Sequence, residues 1–520
     1  MVADIIRDSP FGHIVRLMTR NKVFQYPEEK DQSVAIRYYN TEKTRNMARY
    51  GSTSVPEDKQ NKEKENIDGE PTQASAQHQG STADAPDNGA TEQAEASPHH
   101  RSTGSITSGD TRVDMQRQVS NVTGTPVDSE RGRDLTVVDW DGPDDPENPL
   151  NWSTAKKFFV TFEICLLTLG VYIGSAIYTA GIEDIIATFH VSQVAATVGL
   201  TLFVAGYGLG PMLWSPMSEI PQVGRSPIYM VTLLVFVVFQ VPTALASNFG
   251  MLLAFRFLTG LFGSPVLATG GATLSDIYPP KKRAYAISIW GMAAVCGPTL
   301  GPLVGGFAAE SKGWEWTIWE LTWLSAFAFI LLFFLLPETS SANILYRKTR
   351  RLRKLTGNEN LICEPELMGE SMTGKDIVMM VLVRPITLNF QEPMVFLLNL
   401  YIALIYGLLY IWFESFPIVF VQIYGFSLGL EGTAFLGIMV GAILTIPFYF
   451  AYLYYYQEPK FDDAGNIQPE QRLPPAFFGA FCIPICLFWF GWSAGHTHWI
   501  MPIIGSGFFS IGAFCLFNAV

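Results

Sequence analysis

Charged residues are scarce in most of this chain. Residues 1–150 contain 17 Lys and Arg against 26 Asp and Glu, whereas the other 370 residues contain 18 against 21. The net negative charge therefore lies mainly in residues 1–150. The sequence contains no basic patch with interleaved aromatic residues, so it does not indicate nucleic-acid binding. The sequence also lacks a nucleophile–base pair and a phosphate-binding loop, so we do not expect an enzyme.

Cysteine and histidine are also few, with six and seven residues. Cys482 and Cys486 are one helical turn apart in an apolar run, but no His or third Cys stands near them in the sequence. We therefore expect the cysteines to pack as small apolar residues, and we expect neither a metal site nor another cofactor.

The first 150 residues lack the apolar core of a signal peptide and predict a cytosolic N-terminal region. Within it, residues 11–18 mix apolar and charged residues. We interpret them as an ordinary cytosolic segment, with an amphipathic helix at the membrane surface as the alternative. Residues 51–130 are rich in Ser, Thr, Gln, Gly, Asp and Glu and almost free of aromatic residues, which predicts disorder.

Ten apolar runs follow, each close to the roughly 20 residues that cross a bilayer. They lie near 158–180, 193–215, 227–246, 249–275, 285–307, 316–336, 393–413, 432–454, 473–493 and 499–519. The stretches 377–390 and 416–424 are too short or too interrupted to span by themselves. The sequence thus predicts an all-α membrane protein with ten transmembrane helices.

Basic residues are concentrated in alternate loops, before the first run, between the second and third, between the fourth and fifth, after the sixth, and between the eighth and ninth. This pattern places the N-terminus in the cytosol. We predict a six-helix bundle over 151–337, a central cytosolic loop over 338–392 and a four-helix bundle over 393–520.

One stretch of the fifth run combines glycines spaced four residues apart with prolines. On a helix such glycines form a smooth ridge, which lets membrane helices approach closely, and the prolines are expected to bend the helix. The residues of this motif are Gly291, Gly297, Pro298, Gly301, Pro302, Gly305 and Gly306.

Six short sequence motifs, which we call tags, follow one another along the chain. They are Asp139–Trp152, Ser215–Arg225, Arg256–Gly260, Gly291–Gly306, Leu336–Ser340 and Phe413–Pro417. Together, from about Val138 to the final residue, they resemble the major facilitator superfamily, specifically the fungal twelve-span drug:proton antiporters. The segment Ser215–Arg225 is similar to the superfamily's cytosolic loop signature but has two extra residues before Gly224 and Arg225. In this insertion it resembles the branch that contains the caffeine, benomyl and fluconazole resistance carriers.

The resemblance implies a transporter of two helical bundles. It also implies a gating loop at Glu219, Gly224 and Arg225, in which the acid contacts the N-terminus of the eleventh helix. Because only ten spans are present, we expect the last two spans and this partner of Glu219 to be missing. The resemblance further implies that the glycine ridge packs against the eighth helix, which carries Gly437 and Gly441.

Arg256 lies about seven residues into a span, where a charge costs at least about 2.5 kcal/mol. A snorkelling side chain near the interface is one interpretation. The other is an inward-facing charge paired with a carboxylate, and the resemblance implies a role in proton coupling. Glu163 is our candidate carboxylate, while Glu320 and Glu414 lie nearer the outer interface and serve as alternatives.

The resemblance implies a substrate path lined by the first, fourth, fifth, seventh, eighth and tenth spans. An aromatic path suits flat apolar compounds, although aromatic residues facing lipid are an equal alternative for any single residue. The candidates are Tyr172, Ser175, Tyr178, Asn399, Tyr406, Tyr410, Phe413 and Glu414.

The function implied is proton-coupled efflux of small apolar or weakly polar compounds, such as azoles and benomyl-like or caffeine-like drugs, by alternating access. Export of an endogenous secondary metabolite or a polyamine is an alternative within the same class. A truncated carrier-like protein that does not transport, or a sensor, is the alternative outside it. We expect a monomer in the plasma membrane, with the vacuolar membrane as the alternative.

Overall fold

The structure, a computed structural model, describes residues 2–30, 38, 127–128, 133–134, 136–370, 379, 383–462 and 465–519. The predicted disorder of 51–130 falls, apart from residues 127 and 128, outside the described residues. Residues 39–135 form a unit of their own, in which Val127–Asp128 and Arg133–Asp134 pair as antiparallel strands. Everything described below belongs to the other unit.

Ten helices of the described residues are long and apolar enough to cross a membrane, which confirms the predicted all-α membrane fold. Numbered first to tenth, the spans are Thr154–Phe189, Gln193–Glu219, Ser226–Ala244, Phe249–Ile277, Pro280–Lys312, Trp314–Leu335, Pro393–Ile423, Leu428–Lys460, Pro474–Ser493 and Ile500–Ala519. The bounds differ from the sequence prediction most clearly at the seventh span, which continues through the stretch 416–424 that we judged too short to span alone.

Four spans are divided along their length. The first, seventh and eighth change helix type, and the fourth is two α-helices separated at Ser264. The first is an α-helix over Thr154–Ala176, a 3₁₀ turn over Thr179–Gly181 and an α-helix over Ile182–Phe189; the fourth is Phe249–Gly263 and Pro265–Ile277; the seventh is Pro393–Phe416 followed by a π-helix over Pro417–Ile423; the eighth is Leu428–Ala434, Leu436–Tyr452, a π-helix over Leu453–Gln457 and a 3₁₀ turn over Glu458–Lys460. Proline at the start of a segment explains two of these breaks, because it cannot donate the backbone hydrogen bond that would continue the preceding helix.

Two apolar cores divide the spans between them, and further buried apolar clusters of the described residues lie beside them. The first core draws buried side chains from the first six spans, among them Ile164, Phe203 and Phe236. The second draws mainly on the last four spans, with stacked aromatic rings such as Phe416 and Phe435, whose centroids are 4.1 Å apart. The chain therefore has the predicted arrangement of a six-helix and a four-helix bundle.

Segments outside the spans fold together at one end of the six-helix bundle. We call the end of the spans where they lie the basic end. We call the segments themselves, residues 2–30, 136–153 and 338–370, the cap. Its regular elements are the helices Val2–Asp8, Pro10–Met18, Pro27–Lys30, Ser341–Thr356 and Glu364–Glu370, the 3₁₀ turn Pro149–Asn151 and the strands Thr136–Val137 and Leu361–Ile362. The two strands pair in parallel, so the segment before the first span is joined to the segment after the sixth.

Ion pairs hold the cap together from within. Lys348 is almost fully buried and binds both Asp141, at 2.8 Å, and Asp145, at 3.0 Å. Arg351 binds Glu28 at 2.5 Å and Glu147 at 3.4 Å. The basic run after the sixth span thus does more than indicate orientation, because two of its side chains join three distant segments of the sequence.

A histidine of the cap lies against an arginine. The Nε2 atom of His13 is 2.5 Å from the guanidinium of Arg347. Burial, with the nearby charge of Arg347 as a further cause, lowers the pKa of His13 to about 4. The ring is therefore neutral at pH 7 and can accept a hydrogen bond from Arg347.

Glu338 connects the cap to the loop between the second and third spans. Its carboxylate accepts hydrogen bonds from the backbone N–H groups of Arg225, in that loop, and of Ser226, the first residue of the third span. It also accepts from the backbone N–H groups of Thr339 and Ser340 beside it, and all four distances are 3.0–3.3 Å. Its own backbone N–H donates to the carbonyl of Asp8 at 3.3 Å. One buried carboxylate therefore satisfies four backbone donors from two segments.

We expect Glu338→Gln to lower the apparent melting temperature of the detergent-solubilised protein. The amide removes the charge that strengthens these bonds, each worth about 1.5–3 kcal/mol, and turns N–H donors toward backbone N–H groups. Glu359→Gln, which neutralises an exposed carboxylate of the same cap, serves as the control. Equal melting temperatures for the two variants would contradict the role given to Glu338.

Candidate functional site

The glycine ridge of the fifth span packs directly against the first span. A Cβ atom built on Gly297 would lie 2.6 Å from Cβ of Tyr172, and one on Gly301 would lie 2.7 Å from the backbone N of Ile177. Gly305 approaches Ile177 equally closely. No side chain fits between these backbones, and the helix continues through both of its interior prolines. The ridge thus joins two helices of the same bundle.

The expectation that this ridge faces the eighth span is therefore wrong for Gly297, Gly301 and Gly305. The next face of the same helix meets the eighth span instead, because a Cβ on Gly306 would lie 2.5 Å from the carbonyl oxygen of Leu428. One residue along a helix turns the side-chain direction by about 100°. Gly437 and Gly441 of the eighth span, which we expected at this contact, pack against the tenth span.

A cavity of about 350 Å³ lies between the two bundles. It is lined by Tyr172 of the first span, Leu267 of the fourth, Pro298 of the fifth, Tyr406 and Tyr410 of the seventh, Ile438 of the eighth and Phe509 of the tenth, with other side chains from the fifth, seventh and tenth spans. These are the six spans that the resemblance implied. Most of the lining is apolar or aromatic, as in pockets for flat organic molecules.

The predicted cavity residues divide into two groups. Tyr172, Tyr406 and Tyr410 line the cavity. The others lie elsewhere in the described structure. Ser175 donates to the carbonyl of Tyr172, and Tyr178 donates to the carbonyl of Ala196. Asn399 is exposed and donates to Asn389, Phe413 stacks on Phe435, and Glu414 is only partly buried within the seventh span, before its π-helical segment. Helical spacing alone did not separate these groups, because it does not say how each helix is rotated.

Three lining residues that carry hydrogen-bonding groups were not predicted from the sequence: Trp290, Ser510 and Asn518. Ser510 donates to the carbonyl of Gly507 at 2.8 Å. Trp290 donates from Nε1 to the hydroxyl of Thr168 at 2.8 Å, which fixes its ring against the cavity. The Oδ1 atom of Asn518 accepts from Ser288 at 3.0 Å, linking the tenth and fifth spans. A polar residue near the end of an apolar span was a visible signal for Asn518.

Arg256 is completely buried, and no described carboxylate forms an ion pair with it. Its guanidinium donates to the carbonyls of Gly174, at 3.0 Å, and Gly199, at 3.3 Å. The same group lies over the rings of Tyr178 and Phe203, with centroid distances of 4.5 and 4.4 Å. Cation–π contacts and backbone carbonyls take the place of the expected carboxylate partner.

Glu163 is completely buried in the first span, and neither of its carboxylate oxygens has a hydrogen-bond partner among the described residues. It precedes Gly174, where Arg256 is bound, by eleven residues, or about 16 Å of helix. The structure therefore does not bring Glu163 and Arg256 together. Glu320 and Glu414 are only partly buried, each with one unpartnered oxygen.

The predicted gating loop forms a compact ionic cluster at the basic end. Arg225 binds Glu219 at 2.8 Å and Asp276, at the end of the fourth span, at 2.6 Å. Burial lowers the pKa of Arg225, but these two acids outweigh it and raise the pKa overall. Gly224 has a positive φ of 79°, and a Cβ there would lie 2.6 Å from the Glu338 carboxylate. Asp276 was not predicted from the sequence.

The family model described as Major Facilitator Superfamily matches residues 164–520, which is more than half of the chain. The chain belongs to the Major Facilitator Superfamily. It is therefore a multi-pass membrane protein of a transporter family, and the predicted resemblance is confirmed.

Fungal relatives within the superfamily match most of the chain. Transporter mfs1 of Schizosaccharomyces pombe is 47% identical over 74% of this chain and 73% of its own length. The Cycloheximide resistance protein of Candida maltosa is 42% identical over 76% and 72%. Fluconazole resistance protein 1 of Saccharomyces cerevisiae is 44% identical over 74% and 69%. The likeness to fungal drug-resistance transporters, predicted from the tags, is confirmed.

Two glycines of the same superfamily motif allow a matched test of the ridge. We expect Gly301→Ala to lower the yield and melting temperature of folded protein, because the added methyl must push the first and fifth spans apart at a cost of about 1–3 kcal/mol. Gly291→Ala is the control, since its Cβ would meet only Asn518, at 3.8 Å. Thermal unfolding of both purified variants is the measurement, and equal loss in both would contradict the packing role.

Proposed function

We propose that this protein exports small, flat, apolar or weakly polar toxic compounds in exchange for protons, by alternating access of its two bundles. The observation that carries the proposal is the aromatic cavity between the bundles, lined by six spans. Membership in the superfamily and the similarity to proteins named for cycloheximide and fluconazole resistance support the choice of substrate class.

The chemistry of the cavity favours recognition by shape and stacking. Tyr172, Tyr406, Tyr410 and Trp290 offer ring faces, while Asn518 offers a side-chain amide group. Stacking and burial of apolar area tolerate many flat molecules, because they require few directed hydrogen bonds. Azoles and benomyl-like or caffeine-like compounds have this character.

A polyamine is a poorer fit than a flat apolar compound. The described residues that line the cavity include no Asp or Glu, so a polycation there would lose its water without gaining a counter-charge. Export of an endogenous aromatic or apolar metabolite uses the same cavity chemistry and stays within the proposal.

Proton coupling is assigned to Glu163 and Arg256. A buried carboxylate without partners is costly when charged, so a change of surroundings during the transport cycle changes its protonation. Arg256 contacts the carbonyls of the first and second spans, and any movement of these helices alters its environment. The two groups are distant in this structure, so they communicate through the first span rather than by direct contact.

The positive-inside rule orients the protein with its basic end, cap and N-terminus in the cytosol. The ionic cluster of Glu219, Arg225 and Asp276 is then a cytosolic gate that joins the second, third and fourth spans. The plasma membrane is the compartment from which export to the outside protects a cell. We propose that the monomer is the working unit.

Expression in a yeast strain that lacks its own drug pumps tests the proposal. We expect increased tolerance of fluconazole, benomyl or cycloheximide, and reduced accumulation of the labelled compound, both abolished by a protonophore. The inactive control is Arg256→Ala, which removes the buried guanidinium. Unchanged accumulation of every compound, with the protein shown at the cell surface, would contradict efflux and favour a carrier-like protein that does not transport.

Exchange assays in proteoliposomes separate coupling from binding. We expect Glu163→Gln to abolish drug transport driven by a pH gradient while it preserves exchange of labelled for unlabelled drug, because a neutral amide mimics the protonated carboxyl. Glu320→Gln and Glu414→Gln are the matched comparisons. If one of these alone loses gradient-driven transport, the proton carrier is that residue and the assignment to Glu163 is wrong.

A further inference from the structure

The cap presents an apolar surface that the transport cycle does not use. Helix Pro10–Met18 exposes Leu17 and Met18, whose side chains are 80% and 79% accessible, and Ile14, which is 46% accessible. At 100° per residue, these three side chains and Phe11 fall on one continuous face of the helix. Soluble surfaces rarely keep large apolar side chains this exposed in a cluster.

The opposite face of this helix is fixed to the rest of the cap. Arg16 is buried, binds Glu29 at 2.7 Å and lies over the ring of Tyr26. Ser9 caps the helix by accepting from the backbone N–H of Gly12. The orientation of the helix is therefore set by its polar contacts, and the exposure of its apolar face is not the result of a loosely attached segment.

The apolar face continues a surface that meets lipid. On the sixth span, Trp323, Phe327, Ile330 and Phe334 are 42–57% exposed and follow one another along one side of the helix. Such a row on a transmembrane helix faces the acyl chains. At its end the ring of Phe334 contacts the ring of Phe11, with centroids 4.9 Å apart. The exposed row thus passes without interruption from the sixth span onto the cap helix.

We propose that helix Pro10–Met18 is an interfacial helix that inserts Ile14, Leu17 and Met18 into the leaflet at the basic end, beside the sixth span. Exposed basic residues lie just beyond its C-terminus, at Arg20 and Lys22, where they reach lipid phosphates. We propose that lipid, rather than a protein partner, covers the apolar face of this helix, because that face is continuous with the lipid-facing row of the sixth span. The inference does not depend on the proposed transport function.

Helix Pro10–Met18 is also connected to the ionic cluster of Glu219, Arg225 and Asp276. Asp8 lies one residue before Ser9, the N-cap residue of this helix. Its carbonyl accepts a hydrogen bond from the backbone N–H of Glu338, and the Glu338 carboxylate accepts one from the backbone N–H of Arg225. A helix held in the leaflet therefore fixes one end of a chain of contacts that reaches the loop between the second and third spans. The cap is placed by the bilayer as well as by the protein.

Photocrosslinking of the full chain in nanodiscs of phosphatidylcholine and phosphatidylserine tests this inference. The photoreactive residue p-benzoylphenylalanine replaces Leu17 and, in separate variants, Ile14 or Met18. Position 359, exposed in the cap between Asn358 and Asn360, carries the same residue as a matched control. After illumination, mass spectrometry of the peptides identifies what has been attached.

We expect lipid adducts on the peptide that contains residue 17, several-fold more abundant than on the control peptide. Variants at 14 and 18 keep the test decisive if one position disturbs folding. Adducts from all three positions to another segment of this chain, or to a second copy, would overturn the proposal and identify a protein-docking face. Yields no higher than at position 359 would also overturn it.

Discussion

Direct contact between the backbones of the first and fifth spans is the constraint on which the remaining structure depends. In a bilayer the hydrophobic effect does not draw helices together, so association rests on close packing and on polar contacts between helices. Gly297, Gly301 and Gly305 allow that approach to Tyr172 and Ile177. The contact between these two helices also sets the direction of the other faces of the fifth span. One face lines the cavity at Pro298, and another packs against the eighth span at Gly306.

Buried charge follows a second rule, since each buried cation described above has found its own kind of partner. Arg225 binds two acids, Arg351 binds acids of the cap, and Arg256 binds carbonyls and ring faces. An unpaired charge in such surroundings costs several kcal/mol, and pairing removes much of that cost. Glu163 departs from the rule, because no described group binds its carboxylate. A residue that departs from such a rule at a buried position is where a protonation change has the largest effect.

The sequence predicts the spans well because length and hydropathy are local properties, and the ten apolar runs became ten helices. It also indicates which spans line the cavity, through the family resemblance. It does not predict which helix meets the glycine ridge, because spacing identifies a smooth face and not the neighbour that occupies it. The cap was missed for a related reason: Lys348 pairs with Asp141 across more than 200 residues, and the basic run was explained by orientation alone. Arg256 was found, but its ring contacts with Tyr178 and Phe203 were not, since they need three helices in place.

The fifth span places its packing ridge and part of the cavity wall on one rigid helix, and this limits how the protein can change over generations. Under the proposed function, a substitution of Pro298 that admits a different compound is also expected to press the neighbouring ridge against the first span. Heritable change in the range of compounds should therefore accumulate on the seventh and tenth spans, at positions such as Tyr406, Tyr410 and Phe509, whose neighbours are side chains rather than backbone. Larger residues on the ridge itself would meet the backbone of the first span, so we expect them to disturb packing rather than to reshape the cavity.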